Sequence, residues 1–597
     1  MIETLDRNNL FLVPLDDRRR WYRYHHLFAD MLRARLLDER PGEAPELHRR
    51  ASEWHERDGD TSAAIEHALA AGDMAHAAHL VELSVRTMGR DRREAQLRRW
   101  MEALPEEVFV NRPVLANGHV GALMSTGETR GAEPLLRIAE VWVEQMESAP
   151  TGSLPAGLVV ANVDELGRLP GWVKIHRAGL SLMAGDVPST MDHGREAIAV
   201  LGDDDNLGHA AATALMGLAS WRVGDLETAA AAYGESMRRF EAEGWVADLL
   251  GCAITLADLQ LTLGRLREAE RTFRDALDLA GRQSGGPLRG TPDMHVGLSE
   301  VHRERGDLEA AWEELRTSHE LGDHLCMPKH PHRWRIAEAH VRAAEGDLAG
   351  ALTLLDEAER VYDLDFSPDA RPLAAMRARL WVRQGRHDPA LAWAAERGLS
   401  VSDELDYLRE YEHVTLARAL LARGDASAGP FLERLLTAAE TGGRLGSVLE
   451  ILVLLALAQQ QRGDNGAATA SLARALELGE PQGYLRVFID EGPPILRLLG
   501  AAARSGSSAS YVERLRGSPS PAVTPRGPGA LVDPLSDREL DVLGLLASEL
   551  NGPEIARHLV VSLNTVRTHT KNIYAKLGVG SRRAAVRRGE ELGLLRR

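Results

Sequence analysis

A chain of 597 residues and 65.3 kDa is too long for a single hydrophobic core, so several domains or a repeat array are required. Hydrophobic residues at 44% and charged residues at 27% are ordinary for a folded protein, while only 5% aromatic residues favours helix over β-sandwich. The formal charge of −17 opposes nucleic acid as a whole, and two cysteines, Cys252 and Cys326, exclude a disulfide framework or a cysteine-based zinc site.

The N-terminal "MIETLDRNNLF" lacks the basic and apolar regions of a signal peptide. With two reducible cysteines, the expected location is the cytoplasm. "LFLVPL" reads as a strand, "DDRRR" as a turn, and "WYRYHHLF" as a second strand entering a helix. This predicts a winged-helix-like segment over 1–45. His25 and His26 are adjacent but lack a carboxylate or cysteine partner pattern, so they read as structural rather than as metal ligands.

Residues 46–500 are expected to form a helical-repeat superhelix. "GDLETAAAAYGESM" from Gly224, "GRLREAERTFRDAL" from Gly264 and "GDLEAAWEELRTS" from Gly306 share one pattern, repeated at Gly346, Gly385 and Gly463. With Gly185 and Gly424 added, successive glycines lie about 39 to 42 residues apart, the period of a two-helix unit. In each unit Gly ends one helix in a left-handed conformation, and Asp or a nearby polar residue caps the next. After Gly264, Leu266, Ala269, Phe273 and Ala276 fall on one helical face. These units resemble tetratricopeptide repeats, longer and degenerate, and such solenoids are binding scaffolds. Tryptophans such as Trp100, Trp221, Trp312 and Trp381 read as inter-helix packing. "VLEILVLLALA" (448–458) is too short to span a bilayer and reads as a buried helix.

Residues 501–532 contain "RSGSSAS" and "GSPSPAVTPRGPGA", a composition expected of a flexible linker. The tail over 533–597 reverses the charge. From 531 onward there are 11 basic against 8 acidic residues, leaving 60 against 80 in the rest of the chain. "LSDREL" predicts a capping box of Ser536 and Glu539, with Leu535 and Leu540 as staple; Leu540, Leu543, Leu546 and Ala547 are the expected buried face. "LNGPEIARHL" predicts a helix capped by Asn551, with Pro553 in its first turn and Ile555, Ala556 and Leu559 inward. A third helix, capped by Ser562 and ended by Gly578, places Val566, Thr570, Ile573 and Leu577 on one face and Arg567, Thr568 and Lys571 on another.

Helix, tight turn and basic helix form a helix-turn-helix whose second member enters the major groove. Arg567, Thr568 and Lys571 are the expected base-reading residues. Ser562, Asn564, Thr565, His569 and Lys576 are the expected phosphate contacts. In the last helix, Arg582, Arg583, Arg587 and Arg588 face either phosphate or solvent.

"LSDRELDVLGLLA…EIARHLVVSLNTVRTHTKNIYAKLGVGSRRAAV" resembles the LuxR-type DNA-binding domain over about 535–595. The resemblance implies base-reading roles for Arg567, Thr568 and Lys571, a buried acidic position for Glu539, and a dimer contact through the last helix. Three positions depart from the family pattern: Thr570 for a leucine, Glu549 for a helix-ending glycine, and "NGP" for a stretch carrying a basic side chain. The larger order of segments resembles the MalT-like large LuxR regulators, in which a P-loop NTPase domain precedes the winged-helix piece. The four lysines here, Lys174, Lys329, Lys571 and Lys576, never follow a glycine, so no G-x-x-x-x-G-K-[ST] is present and ATP binding is not carried over.

The sequence therefore predicts an all-α, non-enzymatic, sequence-specific DNA-binding regulator, acting as an activator and needing no cofactor or metal. Expected partners are double-stranded DNA, RNA polymerase, a small-molecule or protein effector on the repeats, and a second copy on DNA; no membrane is involved. The alternative is a repeat-based protein-interaction adaptor with a vestigial DNA-binding tail.

Overall fold

Glycine followed by aspartate solves two problems at one helix junction: the preceding helix must stop with its carbonyls satisfied, and the next must start with its amides satisfied. The computed structural model describes residues 12–14, 22–40, 42–125, 131–150, 153–283, 286–362, 367–502, 509–518, 535, 537–548, 550–559, 561–577, 579 and 581–591. All eight repeat glycines, Gly185 to Gly463, have positive φ. At Gly224 (φ +83°) the glycine N–H donates to the Trp221 carbonyl and the Asp225 N–H to the Ser220 carbonyl, both at 3.0 Å, a Schellman closure. Asp225 then turns its carboxylate onto the Thr228 N–H at 3.2 Å, starting the helix Leu226–Ala242. Asp186, Asp307, Asp347 and Asp464 cap in the same way at 2.8 to 3.1 Å. Each such cap is worth about 1 kcal/mol. Where arginine follows the glycine, at Arg265 and Arg386, the helix begins without a side-chain cap.

Small residues at a fixed register then let the two helices of a unit approach. Ala229, Ala269, Ala311, Ala351, Ala390 and Ala468 each stand five residues after their glycine, and each is 0% exposed. Thr190 occupies the same register after Gly185, also at 0%. Cβ-sized contacts there keep the interhelical distance short, so larger side chains further along, such as Phe273 and Leu355, fill the seam behind.

Small per-unit rotations accumulate into a tight superhelix. The Trp221 indole N–H donates to the Tyr407 hydroxyl at 2.8 Å across 186 residues. The Val487 N–H donates to the Glu304 carboxylate at 2.9 Å across 183 residues. Charged pairs also tie neighbouring units of the array together. Arg418 holds Glu450 at 3.0 Å and also pairs with Glu491, while Arg379 reaches Glu450 at 2.9 Å. Burial pushes the Glu300 carboxyl up, but His340 and Arg303 outweigh it and hold it at about 2.

At the N-terminal end, strands Leu12–Pro14 and Tyr22–Tyr24 pair antiparallel, Leu12 opposite Tyr24, and the helix His26–Glu39 follows. The expected strand, strand and helix are present; the turn between the strands lies outside the described residues. The helix Leu445–Gln461 buries nearly every residue from Val448 to Gln459, and no described helix is long and apolar enough to cross a membrane.

One boundary differs from the sequence expectation. The linker was expected from 501, but Ala509–Gly517 is a helix whose Tyr511, Val512 and Leu515 are at most 1% exposed and belong to the main repeat core. Serine and glycine dominate the composition around it, yet three apolar residues on one helical face suffice to dock it. The chain divides into two compact units, Met1–Pro521 and Ala522–Arg597.

Candidate nucleic-acid interface

The second unit has its own small core. Val542, Leu543, Ile555, Val566, Ile573, Leu577 and Ala585 are buried together, drawn from helices Asp537–Leu546, Gly552–His558, Leu563–Leu577 and Arg582–Glu591. Four short helices of this length are marginal alone, so caps and packing must hold them. Asn551 accepts the Glu554 N–H at 3.1 Å, and Glu554 accepts the Asn551 N–H at 2.7 Å, a reciprocal capping box. The expected box at Ser536 falls on a residue outside the described ones. Glu539, its expected second member, is 4% exposed, the buried acidic position that the family resemblance implied. Ala547, expected in the core, is exposed just past the helix end, and Val542 takes the buried place.

The third helix carries the candidate interface. Ser562 accepts the Thr565 N–H at 3.1 Å, and the two hydroxyls lie 2.8 Å apart, so both take part in the N-terminal cap. Val566, Ile573 and Leu577, 0 to 5% exposed, anchor one face. Thr570, half-buried between them, donates its hydroxyl to the Val566 carbonyl at 2.8 Å, which satisfies it without a partner from another helix. On the opposite side Arg567, Thr568 and Lys571 are all exposed, while Thr565 and His569 are half-buried at the flanks. The side chain of Asn564 lies outside the described residues.

Three basic residues that look equivalent in sequence are engaged within the domain, Lys576 and Arg582 half-buried and Arg538 exposed. Lys576, expected at phosphate, places its ammonium 2.9 Å from the Glu539 carboxylate, with side-chain exposures of 22% and 5%. This buried pair ties the third helix to the first. Arg582 donates to the Leu546 carbonyl that ends the first helix at 2.8 Å and to the Ser548 and Leu550 carbonyls of the connection after it at 2.6 Å. Arg538 does the same for the second helix, reaching the Leu559 carbonyl at 3.0 Å. The separation of roles follows from geometry: helix C-termini present unsatisfied carbonyls, and a guanidinium fork matches them. The N-cap at Asn551 was visible in "NGPE", whereas its reciprocal partner Glu554 was missed, and the Arg582 clamp had no local signal. Among the described residues no group of three or more His, Cys, Asp or Glu side chains is arranged to hold a metal.

Comparison with known proteins fits this construction. Residues 1–44 match the MalT winged helix domain, 171–505 the MalT-like TPR region, and 533–588 the bacterial regulatory proteins of the luxR family. Among solved structures, a Rap protein complexed with competence and sporulation factor is 15% identical, with a TM-score of 0.44, covering 62% of this chain and 98% of its own. The apo quorum sensor NprR from B. thuringiensis is 11% identical, with a TM-score of 0.39, covering 61% and 97%. The repeat match spans more than half the chain and the tail match covers its DNA-binding helices, so the chain belongs to the MalT-like family of LuxR-type regulators.

Proposed function

We propose that the protein is a sequence-specific transcriptional activator that reads duplex DNA with the helix Leu563–Leu577. One observation carries the reading: Arg567, Thr568 and Lys571 share an exposed face of a helix whose other face is locked into a core. A fixed helix with a basic, hydroxyl-bearing outer face matches the width of the major groove, where arginine pairs with guanine O6 and N7 and a threonine methyl meets thymine. Ser562, Thr565 and His569 flank that face toward the phosphates, and Asn564 belongs to the same end of the helix. In this reading two tails pair on a two-part site through the last helix, RNA polymerase is the downstream partner, and the repeats take the effector. The setting is the cytoplasm.

Selection from a random duplex pool, with the whole chain beside residues 531–597, tests the reading. Enrichment of one related sequence by both supports it. Arg567→Ala is expected to relax the preference at one base position, at a cost of about 1–3 kcal/mol. An unchanged preference in Arg567→Ala removes that residue from base reading. Failure of both proteins to enrich any sequence favours the adaptor.

A further inference from the structure

Within the repeat unit lies an open cleft of about 780 Å³ lined by Arg267, Arg271, Arg274, Arg305 and Arg514, with Glu270 the one carboxylate among its lining residues. Five guanidinium groups against one carboxylate is a local charge of +4, in a chain of net charge −17. Arg267, Arg271 and Arg274 lie at i, i+4 and i+7 on the helix Leu266–Gly281, so they share one face, and all three are exposed. Like charges at that spacing repel one another.

Glu270 is 8% exposed and is already committed: Arg305 lies 2.5 Å from it, and Arg274 pairs with its other oxygen. Among the described residues neither Arg267 nor Arg271 has a carboxylate within ion-pair distance. Their guanidinium groups therefore face the cleft with unfilled donors. The far wall comes from distant sequence. Gln482 accepts the backbone N–H of Arg267 at 3.2 Å across 215 residues, and Arg514 stands on the docked helix Ala509–Gly517 with its guanidinium 5.3 Å from the Tyr511 ring centroid. The cleft exists only when the superhelix is wound and this last helix is seated.

We infer that this cleft is a binding site for a compact multivalent anion, a small molecule bearing phosphate or several carboxylates. Its volume is that of a small-molecule site, and its planar guanidinium forks suit bidentate contact with either group. Occupancy draws Arg514 toward the other arginines and holds the helix Ala509–Gly517 against the array. The assignment deepens the effector role proposed for the repeats. Its test contains no DNA, so its failure leaves the reading of the tail untouched.

The test is calorimetric titration of the full chain with inorganic pyrophosphate and, separately, citrate at low salt. Binding of pyrophosphate alone assigns a phosphate ligand, binding of citrate alone a polycarboxylate, and both support the site. Arg267→Glu/Arg271→Glu is expected to weaken binding at least tenfold, whereas Arg195→Glu, an exposed arginine on the helix Val187–Val200, leaves it unchanged. Arg271→Gln serves as a milder second variant, and the thermal melt of each checks folding. Bound anion is expected to slow amide exchange across 509–517. The proposal is overturned if neither anion binds at millimolar concentration, if Arg195→Glu weakens binding as much as the double variant, or if exchange across 509–517 does not change on binding.

Discussion

Replacing Lys576 with alanine separates a structural role from a DNA-contacting one. The ammonium lies 2.9 Å from the Glu539 carboxylate, whose side chain is only 5% exposed, so its loss leaves a buried negative charge without its cation. Breaking a buried pair in this way costs about 3–5 kcal/mol, and the 22% exposure of Lys576 lowers that to about 2–3 kcal/mol through residual access of water. A domain of about 60 residues has about 3–9 kcal/mol in total, so the variant stands near its unfolding threshold. Urea unfolding of residues 531–597, followed by circular dichroism, is expected to show that loss in Lys576→Ala. Adding Glu539→Gln is expected to restore more than half of it, because the neutral amide needs no cation. Binding to DNA then falls only as the folded fraction falls, and recovers in the double variant. A Lys576→Ala domain of unchanged stability, with a salt-dependence slope reduced by about one, refutes the argument and returns Lys576 to the phosphates.

Two further outcomes follow from the repeat unit. A Cβ on Gly264 meets the Gly446 backbone nitrogen at 2.9 Å, whereas one on Gly463 meets nothing within 4 Å, although both glycines have positive φ, +77° and +80°. Gly463→Ala should therefore cost about 1 kcal/mol of conformational strain; Gly264→Ala should cost at least about 1 kcal/mol more because successive superhelical turns must part. Equal urea midpoints would mean that the turns do not touch there. Asp293 is 1% exposed, and burial pushes its carboxyl up to about 6, against an ordinary value near 4 in the unfolded chain. Between those values the folded protein holds a proton that the unfolded chain has lost. Stability therefore falls as pH rises through about 4 to 6, and the cost is complete above the folded value. Asp293→Asn, which keeps an acceptor for the Met327 N–H at 3.0 Å, should raise stability at pH 7 by up to about 3 kcal/mol and change little at pH 4. Identical gains at both pH values would refute the burial argument.

Much of the site was legible because it rests on short-range rules. The stripe of Val566, Ile573 and Leu577 fixes which side of the third helix is buried, and Arg567, Thr568 and Lys571 must then face outward. Thr570, a polar residue at a half-buried position, finds its partner four residues back on its own helix. In the sequence Lys576 is one more basic residue, because helical spacing gives its direction but not what the first helix brings opposite.

The sequence by itself determined where helices stop and start. A glycine with positive φ and an aspartate three residues before an open amide act over a span of about five residues, so their meaning does not depend on the rest of the fold. Tertiary structure alone decided which turn of the superhelix meets which, why a serine-rich stretch ends in a docked helix at Tyr511, and which basic residues of the tail face inward. Those outcomes depend on pairs 186 residues apart, as with Trp221 and Tyr407, or 37 apart, as with Lys576 and Glu539. The rotation per repeat and the crossing of the tail helices set such pairings. Both are sums of many small packing choices, and neither is written at any one position of the chain.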